Sequence, residues 1–367
     1  RETAKAESLL LENINSYVDT SSYSIVLNSW ARQSRPQEAE ALLVQLERLH
    51  ETGGGTVPMP GSYCISAVEH AWSNSAYPDA AERASALLLR RVDDYKKGND
   101  DSRPDTVCFN AAINAWSKSS HPNADQRALE LLEIMVDIKC QPDNITFGSV
   151  LNTLAKSKRP DRVEWAETLL IQMKELYKLG NAKAKPDTIV YNTLLRVIGH
   201  SKEPDRVEKC CSILDQMDNS QEGSTYGVRP NIRTFNSVIL CCAYSSGSDT
   251  SRHAALHIAT EVFSRVRLSG EVNSFTYDSF FKAIAYLARD QERIELLQHA
   301  FELCCNDGHL DSLVLQSLER IAPVKELERL IPIGKVVGRH LRLDKLPASW
   351  SRNTSSRSRS KKSRGRK

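Results

Sequence analysis

The chain has 367 residues, 40% hydrophobic and 26% charged, with a net charge of +3; it holds enough apolar material for a sizeable core and no apolar run near the ~18 residues of a membrane span, which predicts a soluble protein. Nine cysteines are an odd number with no CxxC among them, which excludes a disulfide framework or zinc site and predicts reduced thiols in a core. Residues 351–367 (SRNTSSRSRSKKSRGRK) hold eight cations and no acid, five more than the net charge, so residues 1–350 sum to −5; a body of that sign excludes holding nucleic acid chiefly by phosphate neutralisation.

In chain order, AKAESLLLENI from Ala4 reads as an amphipathic helix already in mid-pattern, so the sequence is expected to start inside a longer protein. From residue 20 one phrase keeps returning: SSYSIVLNSWARQS from Ser21, GSYCISAVEHAWSNS from Gly61, RPDTVCFNAAI from Arg103, QPDNITFGSVL from Gln141, PDTIVYNTLL from Pro186 and RPNIRTFNSVI from Arg229. Phe109, Phe147, Tyr191, Phe235 and Tyr277 mark its register at intervals of 38 to 44 residues, a period that signals a solenoid of stacked repeats. Tyr23 fits the same register, and Ile65 takes the aromatic position in its copy.

Each copy reads as two helices. In the copy from Thr106 the first buries Val107, Phe109, Ala112, Ile113 and Trp116 and breaks at SKSSHPNAD; the second, with Asn123 as its expected cap, buries Ala128, Leu131, Leu132 and Met135. The second-helix pattern returns in AEALLVQL, ASALLLRR, AETLLIQM, CCSILDQM and ATEVFSRV. A Pro with Asp or Asn closes most copies, since proline fixes φ and the polar side chain can cap the helix that follows. Trp30, Trp72 and Trp116 are expected in the core, and the acids of SKRPDRVE and KEPDRVEK at caps and solvated helix starts. Extra residues fall between helices and before the closing Pro, as loops on the rims of a stack should.

These residues resemble the pentatricopeptide repeat family, whose unit opens with an aromatic–polar dipeptide, carries a small-xx-Leu-hydrophobic pattern ending in Met in its second helix, and closes with Pro-Asp. The resemblance covers seven repeats, 20–61, 62–105, 106–143, 144–187, 188–231, 232–273 and 274–311. It reads 1–19 as the second helix of a truncated preceding repeat, 312–350 as a helical cap with short helices around Val324–Leu330 and Ile333–Leu343, and 351–367 as a disordered basic tail. The fold it implies is an all-α, right-handed α-solenoid of helix-turn-helix repeats. The function it implies is single-stranded RNA binding in a mitochondrion or plastid, one repeat to one unpaired base, by a monomer without cofactor, metal or membrane contact, with other RNA-processing proteins as further partners.

In the family, the residue after the aromatic and the last residue of the repeat read the base. Carried over, these are Asn110 with Asp143, Asn192 with Asn231 and Asn236 with Asn273 for pyrimidines, the first favouring uracil, and Ser66 with Asp105 for guanine. Ser24 with Gly61, Gly148 with Asp187 and Asp278 with Asp311 depart from the pattern and have no assignment. Base stacking is implied for Val107, Ile145, Ile189, Arg233 and Phe275, and phosphate contact for Arg32, Lys118, Lys156 and His200. The implied target, read 5′ to 3′, is N-G-U-N-Y-Y-N. Against this stand plain helix-surface amides and ordinary helix packing; what favours the readers is their shared register. No His-x-Glu with Pro-Cys-x-x-Cys and no metal-binding carboxylate cluster is present, so catalysis is not expected. The alternative functions are a protein-binding scaffold using the same face, or the non-catalytic arm of a larger nuclease or editing protein.

Overall fold

A computed structural model describes residues 2–13, 19–52, 57–218, 226–323, 327, 336–337, 340–341 and 346–354. The chain divides into two compact bodies, Arg1–Pro186 and Asp187–Lys367. In the first body α1 (Glu2–Glu12) precedes four helix pairs: α2 (Thr20–Arg32) with α3 (Pro36–Thr52), α4 (Ser62–Ser73) with α5 (Ala80–Lys96), α6 (Thr106–Lys118) with α7 (Ala124–Asp137), and α8 (Asn144–Lys156) with α9 (Arg162–Lys178). The second body has three pairs, α10 (Thr188–Gly199) with α11 (Arg206–Asp218), α12 (Ile232–Ala243) with α13 (Asp249–Leu268), and α14 (Ser274–Leu287) with α15 (Asp290–Asp307), and then α16 (Ser312–Ile321).

Each body is built by one packing rule. A first helix packs on its own second helix and on the next first helix, as in α2 on α4, α4 on α6 and α6 on α8, and again in α10 on α12 and α12 on α14. Second helices fill the space behind, α3 against α4 and α5 against α6. This is the arrangement of an all-α solenoid, in which each repeat contacts only its neighbours. The register aromatics Tyr23, Phe109, Phe147, Tyr191, Phe235 and Tyr277 are all buried, as are Trp30, Trp72 and Trp116. Each indole N–H is satisfied by the preceding second helix: Trp30 donates to Glu7 (2.9 Å), Trp72 to Glu40 (3.1 Å) and Trp116 to Ser85 (2.7 Å). All nine cysteines are free and only Cys211 escapes full burial; burial pushes the Cys64 thiol up to about 11.

Helix starts separate into two kinds. Asp19, Asp105, Asp143, Asp187, Asn231, Asn273 and Asp311 each precede a first helix or α16 with extended backbone, and each side chain accepts a backbone N–H of the first turn. The expected second-helix caps differ. Asn123 and Asp161 stand at N-cap positions with ψ of 23° and 10°, and neither side chain makes a capping bond. The Asp161 carboxylate instead holds Arg159 and the Trp165 indole. With ψ near zero rather than extended, the side chain is not aimed at the first-turn amides.

The C-terminal region also departs from expectation. The helix expected around Ile333–Leu343 gives way, among the described residues, to antiparallel strands β1 (Val336–Val337) and β2 (His340–Leu341), paired Val337↔His340. The helix expected around Val324–Leu330 lies outside the described residues apart from Leu327. Residues 351–354, read as part of a disordered tail, pack on the end of α15: Arg352 and Asn353 donate to the carbonyls of Asn306 and Asp307, and Trp350 stands edge-on to Phe301. These bonds satisfy carbonyls that a helix C-terminus leaves unpaired. Gly308, at φ +76°, ends that helix in the left-handed region, where a Cβ would run into the Arg352 side chain. The rest of the basic tail, 355–367, lies outside the described residues.

Candidate nucleic-acid interface

The first helices present three rows of side chains, fixed by their count from the helix start. The second helical residue is Tyr63, Val107, Ile145, Ile189, Arg233 or Phe275 in successive helices from α4 to α14. The five apolar members of this row are 46% to 85% exposed. Isolated surface hydrophobics need no explanation, but five at one register in seven repeats do. Tyr63, the most exposed, was not among the stacking residues read from sequence; it lies two before Ile65, so the register contained it.

The fifth helical residue and the residue that closes the repeat form the second row. Asn110 Nδ2 donates to both carboxylate oxygens of Asp143, at 3.1 and 3.2 Å, and Asn192 Nδ2 donates to Asn231 Oδ1 at 3.3 Å. A threonine completes each pair: Thr146 Oγ1 donates to Asn110 Oδ1 at 2.6 Å and Thr234 Oγ1 to Asn192 Oδ1 at 2.7 Å. Sequence reasoning missed both threonines because a Thr in a first turn has no unusual signature. Their hydroxyls fix the amide orientation, so that each Asn keeps an N–H for the solvent side. Asn236 is arranged differently. It is buried with Oδ1 unpartnered, while Asn273 takes up Thr276, whose N–H and hydroxyl reach Asn273 Oδ1 at 2.9 and 3.1 Å.

The other assigned or departing positions complete the row. Ser66 Oγ accepts from Arg91 Nη1 at 3.2 Å and lies 3.1 Å from Cys108 Sγ, while Asp105 caps α6. The buried carboxylate of Asp278 is held by Lys282 at 2.7 Å. Gly148 offers no side chain, and a Cβ there would meet nothing within 4 Å. Gly148→Ala is therefore expected to stabilise the chain by up to about 1 kcal/mol in chemical denaturation, because the interior of α8 has room for it.

The third row stands at the ends of the first helices. Arg32 and His200 are exposed beside the two cavities described below. The ammonium groups of Lys118 and Lys156 reach the carbonyls of Ser73 and Ser117 respectively, which end the preceding first helices. They tie one repeat to the next. The same register continues as Tyr244 and Tyr286, whose rings meet at 5.8 Å.

Two cavities gather these rows. One, of about 480 Å³, lies between α10 and α12 and brings together Ile189, Asn192, His200, Asn231, Asn236 and Phe275. The other, of about 600 Å³, lies among α2, α4 and α6 and includes Arg32, Tyr63, Ser66, Asp105 and Val107. Each combines exposed apolar faces with inward polar groups, the composition of a ligand site. Among the described residues no group of three or more His, Cys, Asp or Glu could hold a metal ion, and no helix is long and apolar enough to cross a membrane.

Residues 21–50, which are α2 and nearly all of α3, match the family model described as PPR repeat. That match identifies one pentatricopeptide repeat in the chain. A comparison with curated proteins gives no significant match. Pentatricopeptide repeat proteins generally bind RNA, and the three rows are where the helix pairs of this chain carry exposed side chains at one register.

Proposed function

We propose that the chain binds single-stranded RNA along its first helices, one repeat to one base, and acts as a single chain in organellar RNA metabolism by occupying the RNA. Occupation would stabilise the RNA, direct its processing or free a site for translation. The observation that carries the reading is the coincidence, in α6 and again in α10, of an exposed apolar side chain, Val107 or Ile189, with an asparagine three residues along the same helix that pairs with the residue closing the repeat. An unpaired base has both complements, a flat face to stack and an edge to hydrogen-bond.

The pairs differ in what they offer. Asn110 keeps an N–H beyond its bond to Asp143, and Asp143 keeps acceptor capacity; a donor beside an acceptor suits uracil, which presents O4 next to N3–H. In the Asn192–Asn231 pair the closing carbonyl already accepts the amides of Arg233 and Thr234, so N–H groups face outward. That suits cytosine, whose N3 accepts. Asn231→Asp keeps the cap and turns a donor into an acceptor, so preference at that position is expected to move from cytosine toward uracil without loss of stability. Binding to oligonucleotides differing at that one base measures it.

Selection from a random pool of short single-stranded RNA, at near-physiological salt, tests the whole reading. It should be run with the full chain and with a chain ending at Thr354. Enrichment of a G-U-N-Y-Y core by both supports base reading. No enrichment, or binding lost with the residues after Thr354, points to a protein-binding scaffold with a nonspecific basic appendage.

A further inference from the structure

The second repeat breaks the packing pattern at two facing positions. The eighth residue of the first helix is Leu27, Ile113, Leu151, Leu195, Ile239 or Phe281 in the other six repeats, always fully buried, but in α4 it is Glu69, equally buried. On the second helix the matching position is Leu46, Met135, Met173, Met217, Val266 or Cys304, and in α5 it is Arg91, also buried. The two charges do not close on each other. Arg91 Nη1 stands 3.8 Å from Glu69 Oε2, and both Glu69 oxygens lack a hydrogen-bond partner. Arg91 spends its guanidinium on Ser66 Oγ (3.2 Å), Cys108 Sγ (2.9 Å) and the Arg103 carbonyl (3.3 Å). Glu69 lies in the wall of the cavity that holds Ser66, Asp105, Tyr63 and Val107.

We propose that Arg91 and Glu69 are positioning residues for the Ser66 reader, Arg91 by occupying the acceptor side of its hydroxyl and Glu69 by competing for Arg91 when it ionises. The inference rests on the RNA reading above. With an Arg91 N–H on one lone pair and the Cys108 S–H, 3.1 Å away, on the other, the Ser66 hydroxyl is left to donate, which selects a base with a keto oxygen, guanine or uracil, over one with an amino group there. An ionised Glu69 draws Arg91 toward itself and releases the hydroxyl to accept as well as donate, and the selection relaxes. Burial lifts the Glu69 carboxyl to about 7 against the opposing pull of Arg91, so the exchange falls near neutrality. The other charged or titratable groups that act on Glu69 or share its cavity are Arg90 of α5, Cys108 of α6 with its cap Asp105, Arg32 of α2, and Tyr63 and His70 of α4 itself, while Glu40 of α3 is held by Trp72 and Arg83.

The test uses the full chain, the heptamer AGUACCA, its three variants at the second base and its cytosine variant at the third, with fluorescence anisotropy from pH 6 to pH 8. The wild type is expected to prefer keto over amino bases there by roughly tenfold at pH 6, less at pH 8. Glu69→Gln, which cannot ionise, should hold the pH 6 preference throughout. The double variant Glu69→Leu, Arg91→Met, which installs the residue types of the other repeats, should lose the second-base preference while keeping uracil over cytosine at the third base. A double variant that keeps the second-base preference, or a wild type and Glu69→Gln with the same pH profile, overturns the proposal. A wild type that reads the third base but not the second also overturns it, whereas one that reads no base overturns the RNA reading itself.

Discussion

Replacing Ile189 and Phe275 together by alanine is expected to weaken binding to the preferred RNA by at least about 30-fold while moving the denaturation free energy by about 1 kcal/mol or less. Both side chains line the cavity with Asn192, Asn231 and Asn236, and both are about half exposed or more in the folded chain. A stacked base is worth roughly 1 to 3 kcal/mol, so two stacking faces amount to about 2 kcal/mol or more, which is the 30-fold. Their exposure means that little packing is lost with them. Leu194→Ala supplies the contrast. That residue is fully buried on the same helix, so its loss is expected to cost about 2 to 5 kcal/mol of stability. Titration of a labelled oligonucleotide and urea denaturation separate the two effects, and an unchanged affinity in the double variant would remove base stacking from the account.

The second large effect concerns stability and pH. Glu69 keeps its proton in the folded chain up to about 7, against an ordinary value of 4.5. Below the ordinary value the carboxyl is protonated folded or unfolded and contributes no pH dependence. As pH rises from there to about 7, the unfolded chain releases a proton that the folded chain retains, so stability falls across that window and stays lowered above it. The gap corresponds to roughly 3 kcal/mol. Glu69→Leu with Arg91→Met removes both buried charges and is expected to gain about 1 to 4 kcal/mol at pH 8, with the slope between pH 5 and pH 7 reduced. Glu69→Leu alone leaves Arg91 its bonds to Ser66, Cys108 and the Arg103 carbonyl and is expected to gain less at pH 8 than the double variant, because the guanidinium stays buried without a carboxylate. Urea denaturation at pH 5, 6.5 and 8 measures these, and an equal slope in the wild type and the double variant would show that Glu69 titrates normally.

The parts of the fold visible in the sequence are those that repetition writes several times. PDTIVYNTLL and its relatives mark where first helices start, because a Pro followed by Asp or Asn carries both a fixed φ and a cap. The same residue types before second helices mislead, since Asn123 and Asp161 have the composition of a cap without its extended backbone. Features present once are harder to see. Glu69 and Arg91 look in sequence like two more charges on amphipathic helices, and only the facing of α4 and α5 shows both at apolar positions. VVGRHL reads as a helix on hydrophobicity, although two valines before Gly-Arg suit a hairpin equally well. At the candidate site the register of readers and stackers was legible, whereas the threonines that orient Asn110 and Asn192 depend on contacts between helices more than thirty residues apart.

The residue that closes each repeat after the first, which ends in Gly61, is held to a narrow vocabulary. Asp105, Asp143, Asp187, Asn231, Asn273 and Asp311 each begin the next helix, and few side chains other than carboxylates, carboxamides and small hydroxyls do that well. A change of ligand preference at these positions is therefore confined to the switch between an acceptor and a mixed donor–acceptor, because most other substitutions would be discarded as unstable before they could be tried as selective. The fifth helical position carries no such duty, and it shows Ser, Asn, Gly and Asp in turn. Variation in what the chain recognises has its freedom there, on one side of each pair, with the helix start holding the other side nearly constant.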